Sequence, residues 1–298
     1  MPDSATEIRF RKLSGAVNTF VVIAEGDLPE EVDRVRLART LCAPHGPADG
    51  ADGLIIVGSG DSDDRFTMDY YNSDGSTGMM CGNGARCALR FAVDSGMVDP
   101  RGRLTFTNAG VEYHGELVEG DVGVEFPDPL TIRTGIRTDL EGLPVTLHFI
   151  DVGTPHLLLF MNDAPGEIAD SLDELDIDRW GPVLRHHAAA GPLGANANFL
   201  ELIPDGGGLR LRTFERGVEG ETGACGTGAI ASGLLGATLH PLRSPVRIIP
   251  TSGDPLHISF SRTAEGQFTD VRLQGPAVVM MEGAFHLKNS EPSVRAGD

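Results

Sequence analysis

Apolar positions in the first half of the chain recur in short runs with a period near two, the spacing at which one face of a β-strand turns inward. IRFRKL, FVVIA, LIIVG and RFTMDYY read this way between Ile8 and Tyr71. Two stretches carry a helical period instead. The first is predicted to open at Asp27 as its cap, with Glu30 three residues later and Val32, Val35, Leu37 and Leu41 forming an apolar face. The second follows Cys81, with Ala85, Leu89 and Ala92 spaced to pack inward and Gly96 as its stop. Beyond it RLTFTN, VEYHGELV and VGVEF, parted by Asn-Ala-Gly and Glu-Gly-Asp turns, predict an antiparallel meander.

Pro127, Asp128 and Pro129 break the strand pattern, and a second cycle then repeats the first. VTLHFID and HLLLF supply strands, an aspartate-rich segment near residues 170–190 supplies a helix or irregular turns, and ANFLELI and LRLRTF follow as strands. Residues 229–239 are expected to be helical, and VRIIP, LHISFS, FTDVRL and AVVMME complete the cycle. The tail after Leu287 is polar and is expected to be disordered. The fold class implied is α/β (α+β): two pseudo-symmetric halves, each a curled, mainly antiparallel sheet around a central helix, with a site between them.

The two cycles share a turn as well as a pattern. NSDGSTGMMCGNG spans residues 72–84 and ERGVEGETGACGTG spans residues 215–228, and each puts a cysteine in a Cys-Gly-x-Gly setting at the start of a helix. Cys81 lies nine residues after Asn72, and Cys225 nine residues after Arg216, each polar residue closing a strand-like run. A helix N-terminus offers unpaired amides and a partial positive charge, which favour thiolate over thiol. In such settings a cysteine pKa is expected to fall from about 8.5 to roughly 3.5–7.5. Two opposed thiols are what a two-base inversion needs, one taking a proton from a carbon while the other donates to the opposite face.

These residues resemble the diaminopimelate epimerases, and the resemblance spans nearly the whole chain. CGNGARC at residues 81–87 and ACGTGA at residues 224–229 are similar to the family's two catalytic turns. Asn72-Ser73-Asp74-Gly75-Ser76 is similar to its Asn-x-Asp-Gly-Ser segment, and Glu215-Arg216-Gly217 to its Glu-Arg-Gly. KLSGAVNTFVVI at residues 12–23 puts Asn18 on a substrate-contacting asparagine, GANANF puts Asn196 on another, and VGTPH puts His156 on the active-site histidine. Departures are Thr154 for asparagine, Thr19 for aspartate, Val17 for glycine, and Gly53 where some members carry a glutamine.

The resemblance implies cofactor-independent interconversion of LL- and meso-diaminopimelate, in lysine and cell-wall precursor biosynthesis. Cys81 and Cys225 would exchange the roles of base and acid with the stereoisomer bound. Gly82, Asn83, Gly226 and Thr227 would offer backbone amides to the reacting carboxylate, and Arg216 its planar fork to the distal one. Asn18, Asn72, Asn196 and Glu215 would hold the amino-acid ends, with Thr154 and His156 as possible further contacts. The last strand is implied to return to the first half. One domain would then comprise residues 1–128 plus 275–298, carrying Cys81, and the other residues 129–274, carrying Cys225. No cofactor and no metal are expected, since nothing marks a pyridoxal lysine. A homodimer is the assembly expected.

Composition narrows the partners. A net charge of −19 opposes nucleic acid and anionic membrane surfaces and favours solubility. No charged and apolar leader opens the chain, and no apolar run approaches the ~20 residues that span a bilayer, so a cytoplasmic protein acting on a small amino acid is expected. Cysteines 42, 81, 87 and 225 show no Cys-x-x-Cys pairing, and Cys42 and Cys87 read as small core residues. Two other readings stand beside the first. A proline racemase-like epimerase would carry a histidine after Cys-Gly, where this chain has Asn83. A nucleotide-binding protein would use ACGTGA as a phosphate cradle, but GxxxxGK[ST] is absent and the repeated cysteine goes unexplained.

Overall fold

Strands that are apolar on both faces must be covered on both faces, and this determines the layering. The computed structural model describes residues 6–77 and 81–287. In the first half β1 (Thr6–Ser14) and β2 (Thr19–Ala24) lead through α1 (Arg34–Leu41) to β3 (Gly53–Ser59) and β4 (Arg65–Asn72). The central helix α2 (Gly82–Asp94) then precedes the meander β5 (Leu104–Asn108), β6 (Val111–Val118) and β7 (Asp121–Glu125). Along β3, Ile55 and Val57 pack against α2 with Leu89 and Ala92, while Leu54 and Ile56 pack on the other side with Leu37 and Leu41 of α1.

The second half runs through β8 (Thr131–Leu140), β9 (Leu143–Asp151), β10 (Pro155–Phe160), α3 (Ile177–Arg185), β11 (Asn196–Ile203) and β12 (Gly208–Glu215). It continues through β13 (Gly220–Thr222), α4 (Gly226–Leu239), β14 (Val246–Ile249), β15 (Leu256–Arg262), β16 (Phe268–Gly275) and β17 (Val278–Leu287). The pairings repeat those of the first half. β2 with β3 and β4 with β5 are parallel, as are β10 with β11 and β12 with β14. β3 with β4 and β11 with β12 are antiparallel. Helix α4 is buried from Gly228 to Gly236 and apolar on every side, as a helix enclosed by its own sheet must be. Trp180 of α3 packs on the outer face with Phe199 and Phe214.

Two pairings tie the halves together. β7 pairs antiparallel with β16, Glu125 opposite Arg272 and Val122 opposite Gly275. β17 returns to pair along β1, from Thr6 opposite Leu287 to Ser14 opposite Val278.

Two local expectations need correction. Residues Glu25–Asp27 form a single 3₁₀ turn rather than the start of α1. Leu28 precedes Pro29 and is extended at ψ 142°, as the proline ring requires of its predecessor. The helix starts later, where the Asp33 carboxylate accepts from the Arg36 amide at 3.0 Å, and Val35 on it is exposed rather than inward. Strand β8 lies where no strand was expected. Most of its residues face solvent and its register shifts between Arg133 and Ile136, so no apolar alternation marks it. The polar tail expected after Leu287 lies outside the described residues.

Candidate active site between the halves

Both central helices open on their cysteine. Cys81 caps α2 at φ −108°, ψ 116° and Cys225 caps α4 at φ −107°, ψ 110°, so the two turns share one backbone conformation. The carbonyl of Cys81 accepts from the Ala85 amide at 2.8 Å, and that of Cys225 from the Ala229 amide at 2.9 Å. The two helix starts also converge. A Cβ built on Gly82 would lie 3.2 Å from Leu273 Cδ2, and one built on Gly226 would lie 3.0 Å from the same atom. Leu273 belongs to β16, at its seam with β7, so the N-termini of α2 and α4 meet over the junction of the halves. A side chain at either place would crowd that leucine, and at Gly82 also Phe126 Cζ at 3.0 Å, so each glycine lets its helix start approach the seam closely.

The electrostatics differ from the expectation that helix ends lower both thiols. Burial pushes the Cys225 thiol up to about 12, and the Glu215 carboxylate and Cys81 add to the rise. The Thr227 hydroxyl, 3.6 Å from Cys225 Sγ, and the Gly228 amide pull the other way without prevailing. Cys81 is half-buried, yet desolvation raises it too, against the amides of Gly84 and Asn83 and the charge of Arg86. The helix-end effect is present at both sites, and the loss of water outweighs it.

The other residues singled out in the sequence gather around these turns in different ways. The Asn83 side chain is buried and donates to Asn18 Oδ1 at 2.6 Å and to the Ala224 carbonyl at 3.3 Å. Asn196 Oδ1 accepts from the Arg216 amide at 2.8 Å, whereas the Arg216 guanidinium has no hydrogen-bonded or ion-paired partner among the described residues. Glu215, raised above the ordinary carboxylate range by burial, accepts from Thr222 Oγ1 at 3.0 Å. Asn72 is committed to its own turn, accepting from Tyr70 Oη at 2.8 Å and donating to Ser76 Oγ at 2.9 Å. Thr154 sits in the turn from β9 to β10, where its carbonyl accepts from the Val152 amide at 3.3 Å.

His156 is fully buried, and burial pushes its pKa down to about 3. It is therefore neutral at any ordinary pH. Its Nδ1 meets Asn198 Nδ2 at 3.1 Å and its Nε2 has no hydrogen-bond partner among the described residues. Gly53 has no room for a side chain, since a Cβ there would lie 2.6 Å from the Tyr71 carbonyl oxygen. Cys42 and Cys87 are buried core residues. Among the described residues no group of three or more His, Cys, Asp or Glu side chains is arranged to hold a metal.

Two participants escaped sequence reasoning. Arg86 is fully buried behind Asn83 and bonded to it at 2.9 Å. Asn198 joins β10 to β11 through the carbonyls of Leu157 and Asn196 and accepts from Thr213 at 3.1 Å. Both lie inside motifs already singled out, CGNGARC and GANANF. A charged or amide residue among small apolar ones was the available signal.

The profile of the diaminopimelate epimerase family matches residues 10–123. The diaminopimelate epimerase of Chlorobaculum tepidum is 36% identical over 279 residues, covering 92% of this chain and all of that one. This chain belongs to the diaminopimelate epimerase family. The diaminopimelate epimerase of Aquifex aeolicus is 35% identical, with 93% of this chain and 97% of that one covered. Among solved structures, a phenazine biosynthesis protein of the PhzF family from Bacillus anthracis superposes with a TM-score of 0.69 at 14% identity, covering 94% and 99% of the two chains. A probable proline racemase from Agrobacterium radiobacter gives 0.63 at 14% identity, covering 95% and 93%. These likenesses show the shared two-half fold. Membership of the diaminopimelate epimerase family makes the chain an isomerase.

Proposed function

We propose that this protein interconverts LL- and meso-diaminopimelate by proton transfer between two cysteines, without a cofactor. The observation that carries the reading is the convergence of two cysteine-capped helix N-termini on one leucine, in a chain of this family. One sulfur, as thiolate, takes the α-proton and becomes a thiol. The other, as thiol, delivers its own proton to the opposite face of the carbanion and is left as thiolate. A thiol that burial holds up at about 12, as in Cys225, becomes a strong base once ionised, which suits a weakly acidic α-carbon.

The amides of Gly82, Asn83, Gly226 and Thr227 would hold the reacting carboxylate, where charge develops. Arg216, whose guanidinium is uncommitted, would grip the distal carboxylate as a fork. Asn18, Asn72, Asn196 and Glu215 would orient the ammonium and carboxylate ends, with Thr154 and His156 nearby. The two domains would be residues 1–128 plus 275–298 and residues 129–274. A cytoplasmic homodimer serving lysine and cell-wall precursor biosynthesis completes the reading. No helix among the described residues is long and apolar enough to cross a membrane.

The test is incubation with LL-diaminopimelate in D2O, followed by proton NMR and chiral chromatography, with L-proline in parallel. The expected result is loss of the α-proton signal together with formation of the meso isomer, and no change in proline. Exchange of proline alone would transfer the reading to a proline racemase-like enzyme.

A further inference from the structure

Arg86 is fully buried. Its hydrogen-bond partners among the described residues are all neutral. Nε donates to the Pro276 carbonyl at 3.4 Å, Nη1 to the Gly82 carbonyl at 3.3 Å, and Nη2 to the Gly15 carbonyl at 3.1 Å and to Asn83 Oδ1 at 2.9 Å. A buried cation with no carboxylate bonded to it is costly, although the charge of Asp121 favours it from farther off. What it supplies that a neutral side chain does not is a set of donors with no acceptor.

A guanidinium has donors and no acceptor. Asn83 must therefore turn its oxygen toward Arg86, which sends its Nδ2 to Asn18 Oδ1 at 2.6 Å and to the Ala224 carbonyl at 3.3 Å. Ala224 immediately precedes Cys225. Because the Asn18 oxygen is taken as an acceptor, Asn18 is left with its Nδ2 donor to offer a carboxylate. One buried charge thus sets the polarity of two amides in sequence and ties the turn of Cys81 to that of Cys225. The charge also favours thiolate at Cys81.

We propose that Arg86 is a positioning residue that fixes the amide orientation of Asn83, and through it makes Asn18 a donor for the substrate carboxylate. The substrate side of this inference rests on the proposed function. The amide side does not.

Three variants test it, Arg86→Met, Arg86→Lys and Asn83→Ala, with the double variant Asn83→Ala/Arg86→Met. Arg86→Met should lose on the order of 100-fold in kcat/KM, the scale of a misplaced substrate-positioning group. Arg86→Lys, still donor-only, should recover most of that loss. The double variant should be no worse than Asn83→Ala, because residues acting through one relay are not additive. In 15N-labelled protein, the Asn83 side-chain NH2 should be protected from exchange in the wild type and in Arg86→Lys, and unprotected in Arg86→Met.

Equal kcat/KM for the Met and Lys variants, additive losses, or an Asn83 amide that stays protected in Arg86→Met would each overturn the proposal. Should Arg86→Met not fold, Arg86→Leu, which likewise has no donor, takes its place with the same expected outcomes. A wild-type protein that leaves diaminopimelate unchanged contradicts the proposed function alone, and the amide exchange still decides the role of Arg86.

Discussion

Cys42, Cys87 and Cys225 are each pushed by burial from an ordinary 9.0 up to about 12. The folded chain holds these protons more tightly than the unfolded one, so the stability they contribute is whole below about pH 9. It is lost as pH rises toward 12. Urea unfolding between pH 7 and 10.5 should show stability falling only at the alkaline end. Iodoacetamide at pH 8 should label Cys225 far more slowly than a cysteine in a peptide, and labelling at the peptide rate would refute the burial argument. Thr154 allows a second test at this scale. A shorter hydroxyl in place of an amide leaves a gap that a water or a neighbour such as Asn196 can bridge at small cost. Thr154→Asn should then change kcat/KM for LL-diaminopimelate by less than about tenfold, or roughly 1.4 kcal/mol of transition-state binding. A much larger gain would point to a substrate with a different distal end.

Elements were legible where periodicity and caps agree. The core face of α2 follows from its spacing, and Ala85, Leu89 and Ala92 are fully buried. Helix α1 was misplaced because Asp27 and Glu30 mimic a cap that Pro29 disallows, while Asp33 does the capping. The sign of the thiol shift was not legible. Helix-end amides are local to the motif, but the desolvation that outweighs them comes from packing that spans both halves. Arg86 escaped for the same reason, since its partners Gly15 and Pro276 lie 71 and 190 residues away. The loop from β1 to β2 carries the clearest strain. Ala16 and Val17 adopt φ 64° and 80°, a region that suits glycine and costs a β-branched residue most. The Val17 side chain rests against the second half, 3.0 Å from where a Cβ on Gly223 would lie. Val17→Gly should raise stability by about 0.5–1 kcal/mol, strain relief exceeding glycine's entropy cost. It should also raise KM by loosening the loop that carries Asn18. A loss of stability in urea unfolding would show that the contact outweighs the strain.

At the scale of the whole molecule, the duplicated pattern is what placed two cysteines in equivalent turns, and the paired strands bring those turns together. Along the β7–β16 seam Arg272 pairs with Glu125 at 3.3 Å and also with Glu116, fastening β16 to the first half's meander. The seam holds Leu273 beneath both helix starts, and the proposed mechanism draws one sulfur from each half. The most direct measurement is epimerisation of LL-diaminopimelate by Cys81→Ala and Cys225→Ala, with Cys87→Ala as the control and circular dichroism to establish folding. Each of the first two should lose activity by on the order of 10⁴-fold, because inversion needs an acceptor on one face and a donor on the other, while Cys87→Ala should keep turnover close to that of the wild type. A folded Cys81→Ala or Cys225→Ala protein that still epimerises at a rate comparable to the wild type would contradict the two-thiol mechanism.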